Sequence, residues 1–351
     1  STRSTTVALL GTLVGAGGGD GGSGADGSYA GRLLGRSMIA TLVRAQTLAD
    51  PYRCARLRDE DGSPPPTGAV ELGGYRWRRD GSTLRGAGRG GAATTVRVGV
   101  IADARGAAGG TVAAVTALRE AFIHAGADLV ISLGGMGRDQ EELGAVLGAL
   151  ADGSPWPVLA LPGDREGLPA HRAAVAAVAA HGGLVVDGTE VRRVDVDGAG
   201  GVSVATLPGI GNPAQLVAGP DGCVHDRADA DAALAALGDR PGIGVLATYE
   251  PPRQRAAEGS DVVTGGVHVG DRMLAEALAA IASPAELVLH GEVGAPVDPA
   301  GRAPRSGPLS LGIGAAEKVR ATDTPSALLV VIAEKHLHWQ RLTVGGRRGG
   351  G

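Results

Sequence analysis

Acidic and basic side chains stand where three of four apolar runs of the chain stop, and glycines stand where the other does. Val98–Arg105 (VGVIADAR) ends in Asp103 and Arg105, and Asp128–Gly137 (DLVISLGGMG) ends in glycines. Val158–Glu166 (VLALPGDRE) ends in Asp164, Arg165 and Glu166, and Glu286–Gly294 (ELVLHGEVG) reaches Glu292. Carboxylates can take a divalent cation. A guanidinium holds an anion through paired hydrogen bonds and has no lone pair to give a metal. Each run has strand length, and α/β folds collect their chemistry at the carboxyl ends of strands.

The elements that would position these ends alternate from Thr95 onward. Strand-like runs at 96–102, 128–133, 157–161, 184–187, 202–206, 243–248 and 286–289 interleave with Ala-rich helical stretches near 110–126, 139–151, 168–182, 227–238 and 270–282. A β-α-β-α-β opening implies a mostly parallel sheet with right-handed crossovers. The last stretch turns to strands, 308–313, 326–333 and 336–344, and HLHWQRLTV alternates as a half-exposed antiparallel strand does. Two packed sheets with helices outside are expected, the later strands antiparallel. Asp139 reads as a helix N-cap. Ahead of this region, 68–88 reads as two short strands about the turn Arg79-Asp80-Gly81, 58–67 as a linker, and 28–50 as an amphipathic helix stopped by Asp50-Pro51. The expected organisation is a flexible Gly-rich tail or signal remnant (1–27), an N-terminal helix, linker and hairpin (28–94), a main domain (95–344) and a flexible tail (345–351).

Composition sets the outer limits. The 351 residues allow one large domain with additions or two domains, and 43% hydrophobic content allows a sizeable core. With aromatics at 2%, that core has to be aliphatic. A net charge of −4 and no long basic block leave nucleic-acid binding without support. No apolar run reaches membrane-spanning length. Cys54 and Cys223 lack CxxC spacing and a neighbouring His cluster, which argues against zinc at the cysteines. They either pair as a disulfide in an oxidising compartment or are two unrelated cysteines. Arg3, the apolar Val7–Val14 and the small residues after it resemble the end of a secretory or lipoprotein signal, without a lipoprotein's acceptor cysteine. Export to the periplasm, outer envelope or cell surface is the expectation.

From about residue 96 to 343, the order and spacing of these segments resemble the calcineurin-like metallophosphoesterases, whose motifs run DxH, GD, GNH[DE], a lone His and GHxH. The resemblance implies a four-layer αββα sandwich of two mixed sheets, with an N-terminal helical and hairpin extension, and a two-metal site at the sheets' carboxyl edge. It also shows how this chain departs. In Asp103-Ala104-Arg105 the aspartate is kept, and Arg105 stands where a histidine ligand belongs. In Gly134-Gly135, Gly135 stands where an aspartate would bridge the metals. In Gly163-Asp164-Arg165-Glu166, Asp164 replaces an asparagine ligand, Arg165 replaces the histidine that would contact phosphate or protonate the leaving group, and Glu166 matches the orienting acidic choice. Tyr249, in Thr248-Tyr249-Glu250-Pro251-Pro252, takes the lone histidine's place. In Gly291-Glu292-Val293-Gly294, Glu292 and Gly294 replace two histidines, and His290 closes the strand before them.

Ligand counting sets the expected chemistry, because a two-metal phosphoesterase needs a bridging carboxylate and several further ligands. Here the bridge is gone and every histidine ligand is replaced. Asp103, Asp164 and Glu292 make at most one oxygen-rich site, suited to a Mg²⁺ or Ca²⁺ ion. Arg105 and Arg165, the residues able to hold phosphate, would share that pocket and neutralise its carboxylates with no metal and no cofactor. No catalytic role is assigned to the remnant positions Arg165, Glu166 and Tyr249. The expected function is a catalytically inactive, metallophosphoesterase-like binding or structural protein of the cell envelope, its partner a protein or a phosphorylated small molecule. One alternative is a phosphoester hydrolase with an altered, single-metal site. Another is a self-assembling envelope or filament subunit, a homo-oligomer using the glycine tails and the N-terminal helix, which could also meet a membrane surface. Gly106–Gly110 reads as an ordinary turn, since no GKS/T or GxGxxG pattern accompanies it. His225, His268, His336 and His338 are scattered, and no GxSxG elbow is present.

Overall fold

A computed structural model describes residues 50–55, 68–88, 95–197, 201–238, 242–254, 259–263, 266–280, 284–291, 300–302, 307–320, 322–333 and 336–345. The expected 1–27 tail, the 28–50 helix up to residue 49, the 58–67 linker, Glu292–Gly294 and residues 346–351 lie outside these.

Along the chain, β1 (Val70–Leu72), β2 (Tyr75–Asp80) and β3 (Thr83–Gly88) form an antiparallel meander. Next come β4 (Val96–Ile101), α1 (Thr111–Ala125), β5 (Leu129–Ser132), α2 (Gln140–Ala151), β6 (Val158–Ala160), α3 (Leu168–Ala180) and β7 (Val185–Asp187). There follow β8 (Arg193–Val196), β9 (Val202–Leu207), α4 (Arg227–Ala235), β10 (Ile243–Thr248), the short pair β11 (Val262–Val263) and β12 (Val267–His268), α5 (Arg272–Ala280) and β13 (Leu287–His290). The chain closes with β14 (Ala300–Arg302), β15 (Leu309–Gly312), β16 (Ser326–Ala333) and β17 (His336–Thr343).

These strands make two large mixed sheets. One runs β17-β16-β4-β5-β6-β7, and the other β1-β2-β3-β8-β9-β10-β13-β15-β14. The parallel ladders β4–β5–β6–β7 and β9–β10–β13 come from the alternating apolar runs read above. The expected hairpin extension joins the second sheet through a parallel ladder from β3 to β8. One expectation needs correction. Leu309–Gly312 is parallel to β13 rather than part of an antiparallel closing set. Its three residues Ser310–Gly312 are all buried, as befits a parallel strand covered on both faces. β17 is the antiparallel edge strand that its alternation implied.

Period-two alternation divides the aliphatic side chains into three layers of contact. Val96, Val98 and Val100 of β4 meet Val202, Val204, Val245, Leu287 and Leu289 of the facing sheet in the central core. On the outer face of the first sheet, Val130 and Val158 pack under Val115, Leu118 and Phe122 of α1 and Leu143 and Leu147 of α2. On the outer face of the second, Leu246 and Val288 pack under Leu234 of α4 and Leu274 and Leu278 of α5. The result is the αββα order. Helix starts are set locally: Asp139 accepts from the Glu142 amide as the N-cap of α2, and Asp226 with Asp229 forms a capping box on α4.

Strand register aligns the ends that matter. Ile101 pairs with Ser132, and Ser132 with Ala160, so the three following loops leave the first sheet at one level. In the second sheet, Thr248 pairs with both Leu207 and His290, which brings Tyr249 beside Gly291.

Candidate functional site

The loops after β4, β5 and β6 are stitched together by their own backbone. The Asp103 amide donates to Gly134 O (3.0 Å), Arg105 to Gly135 O (2.8 Å) and Gly106 to Met136 O (2.8 Å). Asp103 and Arg105 take φ of +54° and +57°, a left-handed backbone that non-glycine residues rarely adopt and that tends to mark functional loops. Glu166 fastens the other side. Its fully buried carboxylate accepts from the amides of Gly163 (2.9 Å), Gly135 (3.2 Å) and Met136 (2.5 Å). Burial raises its pKa, while those backbone amides pull the other way. Glu166 is thus a positioning group. Close by, His171 pairs with Asp187 (3.3 Å), an aspartate that also accepts from the Thr189 amide.

Tyr249 occupies the centre of this cleft. Its hydroxyl donates to Asp103 Oδ1 at 2.9 Å, and the residue is 2% exposed. The ring lies flush on three glycines from three different loops. A Cβ built on Gly163 would stand 2.7 Å from the ring, and one on Gly291 3.1 Å from it. On Gly135 a Cβ would come within 2.5 Å of Asp103 Oδ1 and 3.1 Å of the ring. Real Cβ atoms do not come as near as those at Gly163 and Gly135 would, and one at Gly291 would crowd the ring, so the glycines are what admit the phenol. The bare backbone at Gly135, expected from the lost bridging ligand, makes room for an aromatic ring.

The electrostatics follow from this burial. The Asp103 carboxyl is pushed up to about 7, by desolvation first, against the opposing charge of Arg105 and the hydrogen bond from Tyr249. Asp164 is also raised by burial, with Tyr249 and Arg165 opposing. The Tyr249 phenol is raised well above its ordinary value, chiefly by burial and by the neighbouring carboxyls, so it stays protonated and donates. Asp103 Oδ2 and Asp164 Oδ1 are buried without a hydrogen-bond partner among the described residues. Arg105 lies 3.7 Å from Asp103 Oδ1 and 3.7 Å from Glu317 Oε2. Arg165 forms no ion pair among the described residues. It lines a cavity of about 330 Å³ together with Arg138, Val217, Ala218 and Asp221. Of the three carboxylates proposed for one cation, Asp103 and Asp164 do share the cleft, and Glu292 lies outside the described residues. The cleft residues therefore do not fit a two-metal centre: the bridging position has no side chain and no room for one, and a phenol ring stands between the loops.

His290 is an interior residue. Its Nε2 meets Ser260 Oγ at 3.0 Å, in a chain that also joins Gln254 and Ser310, and burial drives its pKa down to about 4. A second group went unseen in the sequence. His225, Glu250 and Asp271, from three separate segments, bring one ligand atom each to within 4.8 Å of one another. The one local signal was Glu250, directly after Tyr249 at the end of a buried strand.

No protein-family model and no curated protein matches this chain. Solved structures do. A dimetal phosphatase from Danio rerio aligns with a TM-score of 0.50 at 11% identity, over 71% of this chain and 98% of that one. The protein TT1561 of Thermus thermophilus aligns at 0.47 and 15% identity, over 70% and 98%. A purple acid phosphatase from yellow lupin (Lupinus luteus) seeds aligns at 0.43 and 10% identity, over 77% and 56%. At such identities the likeness speaks to architecture. The two mixed sheets, the flanking helices and the loops gathered at one edge give this chain the fold of the calcineurin-like metallophosphoesterases.

Proposed function

We propose that this chain is a non-catalytic protein of metallophosphoesterase fold that serves as a binding or structural module of the cell envelope. The Tyr249 ring, seated on Gly135, Gly163 and Gly291 where the fold would hold its ions, carries this reading. A cleft without a bridging carboxylate, with two guanidiniums at its rim and a phenol between its loops, lacks the ligand set that two-metal phosphoester hydrolysis requires. The disulfide between Cys54 and Cys223, with Cα atoms 5.5 Å apart, supports the exported location, since such bonds persist in oxidising compartments. The test is turnover of an aryl phosphate and an aryl phosphodiester with Mn²⁺, Zn²⁺ or Mg²⁺ supplied. No rate above the buffer blank is expected. Metal-dependent turnover abolished by Asp103→Ala would overturn the proposal.

One observation favours a phosphorylated small molecule as the partner: Arg165 and Arg138 line the same cavity. A guanidinium pair of this kind suits an anion. Calorimetry with inorganic phosphate and a nucleoside monophosphate should register binding that Arg165→Met removes. Heats identical in wild type and variant would dispose of this reading.

A further inference from the structure

We propose that His225, Glu250 and Asp271 form a site for one divalent transition-metal ion, distinct from the cleft that Tyr249 fills. His225 Nε2 lies 3.9 Å from Glu250 Oε2 and 4.0 Å from Asp271 Oδ2. The His225 side chain is 0% exposed, Glu250 3% and Asp271 12%, so the group is interior and Asp271 is its opening to solvent.

The imidazole is the independent witness. Its Nδ1 faces the Pro208 carbonyl at 3.2 Å, and its Nε2 has no hydrogen-bond partner among the described residues. A backbone carbonyl accepting from Nδ1–H fixes the tautomer whose Nε2 lone pair points at the two carboxylates. That is how metal-bound histidines are oriented by the groups behind them. The carboxylates are also held in place. Glu250 Oε2 accepts from the Gly211 amide (2.5 Å), and Asp271 accepts from the Met273 (2.8 Å) and Leu274 (3.2 Å) amides at the start of α5. Among the described residues neither acid has an arginine or lysine partner. Two adjacent, largely buried carboxylates with an unused nitrogen lone pair are complementary to a 2+ charge.

The donor set narrows the ion. One imidazole with two carboxylates suits Zn²⁺, Mn²⁺ or Fe²⁺ better than Mg²⁺ or Ca²⁺, which prefer all-oxygen shells. Three protein ligands leave a fourth position for water. Ligand atoms roughly 2.0–2.2 Å from one ion are at most about 4.4 Å apart, so a group spread over as much as 4.8 Å has to draw together to hold it.

Zinc alone is the probe. Full-length protein, stripped with a chelator and free of any affinity tag, is titrated with Zn²⁺ by calorimetry, and bound metal is counted by mass spectrometry. One ion per chain is expected. His225→Gln and Asp271→Asn, each verified as folded by circular dichroism, should each weaken uptake by at least about a hundredfold. Asp103→Asn and Tyr249→Phe should leave it unchanged, which separates this site from the cleft. If either ligand variant fails to fold, X-ray absorption of the wild-type zinc complex decides: one imidazole nitrogen among oxygens supports the site, and none overturns it. No uptake by folded wild type, uptake unchanged in both folded ligand variants, or uptake lost through Asp103→Asn instead, would each overturn it.

Discussion

Tyr249 and Glu250 follow β10 as consecutive residues, yet they enter polar surroundings of different kinds. Around Tyr249, a hydroxyl donates to Asp103 Oδ1, a ring fills the space between three loops, and Glu166 holds those loops by their amides. Around Glu250, a second carboxylate and a histidine face one another at 3.9 to 4.0 Å with a nitrogen lone pair unused. Both groups are buried and both carry acids. The first has been closed by packing a neutral donor into it, and the second has been left with an excess of lone pairs. The lesson is that acidic residues at a strand end do not by themselves identify a metal site. What distinguishes the two is whether the space between the acids is already occupied and whether a histidine nitrogen with an unused lone pair faces them.

The largest expected effect breaks the scaffold on the Glu250 side. The Cys54–Cys223 bridge spans 169 residues, and the segment it anchors pairs Tyr52 with Gly222 and Val224, just before His225. Losing a cross-link of that span costs up to about 5 kcal/mol in the chain-entropy account. Urea denaturation of a Cys54→Ser/Cys223→Ser variant should show a loss of that order, with Zn²⁺ affinity reduced as well. A bridge that mattered little would leave the urea midpoint in place.

Next comes an attempt to reopen the Tyr249 side. Gly135→Asp puts back the carboxylate that a two-metal centre needs, but its Cβ would meet Asp103 Oδ1 at 2.5 Å and the Tyr249 ring at 3.1 Å. Overpacking together with a further buried acid is expected to cost at least about 3 kcal/mol, with no gain of metal in the cleft. A variant as stable as wild type that takes up ions would show that the ring yields readily, and the contrast drawn above would lose its basis.

Tyr249→Phe tests the closing hydrogen bond with the ring retained. It leaves Asp103 Oδ1 without its 2.9 Å donor, an expected cost of about 1–3 kcal/mol by denaturant titration. No measurable loss would mean that the ring alone closes the cleft.

How much of this was written in the sequence depends on the range of the interaction. The parallel strands β5, β10 and β13 are buried on both faces and so appear as apolar runs. β8 escaped notice because Arg193 and Asp195 pair on its outer face and break the run into a charged tetrapeptide. The motif positions were legible because each follows such a run. The occupant of the cleft was not. That the Tyr249 ring turns inward depends on glycines in three loops far apart in the chain, and a local reading of Gly135 records a missing ligand, not a vacancy filled from β10. The His225 group was less visible still. Its members come from the loop after β9, the end of β10 and the cap of α5, and only the packing of α5 against that sheet edge brings them together.

The smallest effect expected is a dependence on pH, and it compares the two sides directly. Burial pushes the carboxyls of both Asp103 and Glu250 up to about 7, the latter helped by Asp271. Folded protein then keeps a proton that the unfolded chain has released above about pH 4. Stability changes with pH in proportion to the protons bound by the unfolded state minus those bound by the native one, a negative difference in this window. The contribution of each group is therefore full below the unfolded pKa and declines as pH rises to about 7. Between about pH 6 and 7.5, one such group lowers stability by about 1 kcal/mol. The stability difference between wild type and Asp103→Asn should shrink by that amount across the window, in metal-free buffer and in zinc alike. The corresponding difference for Glu250→Gln should shrink in metal-free buffer. With zinc present it should instead grow as pH rises, because the ion binds the carboxylate that deprotonation creates. Identical pH curves for the two variants in zinc would erase the distinction between the two sides of β10.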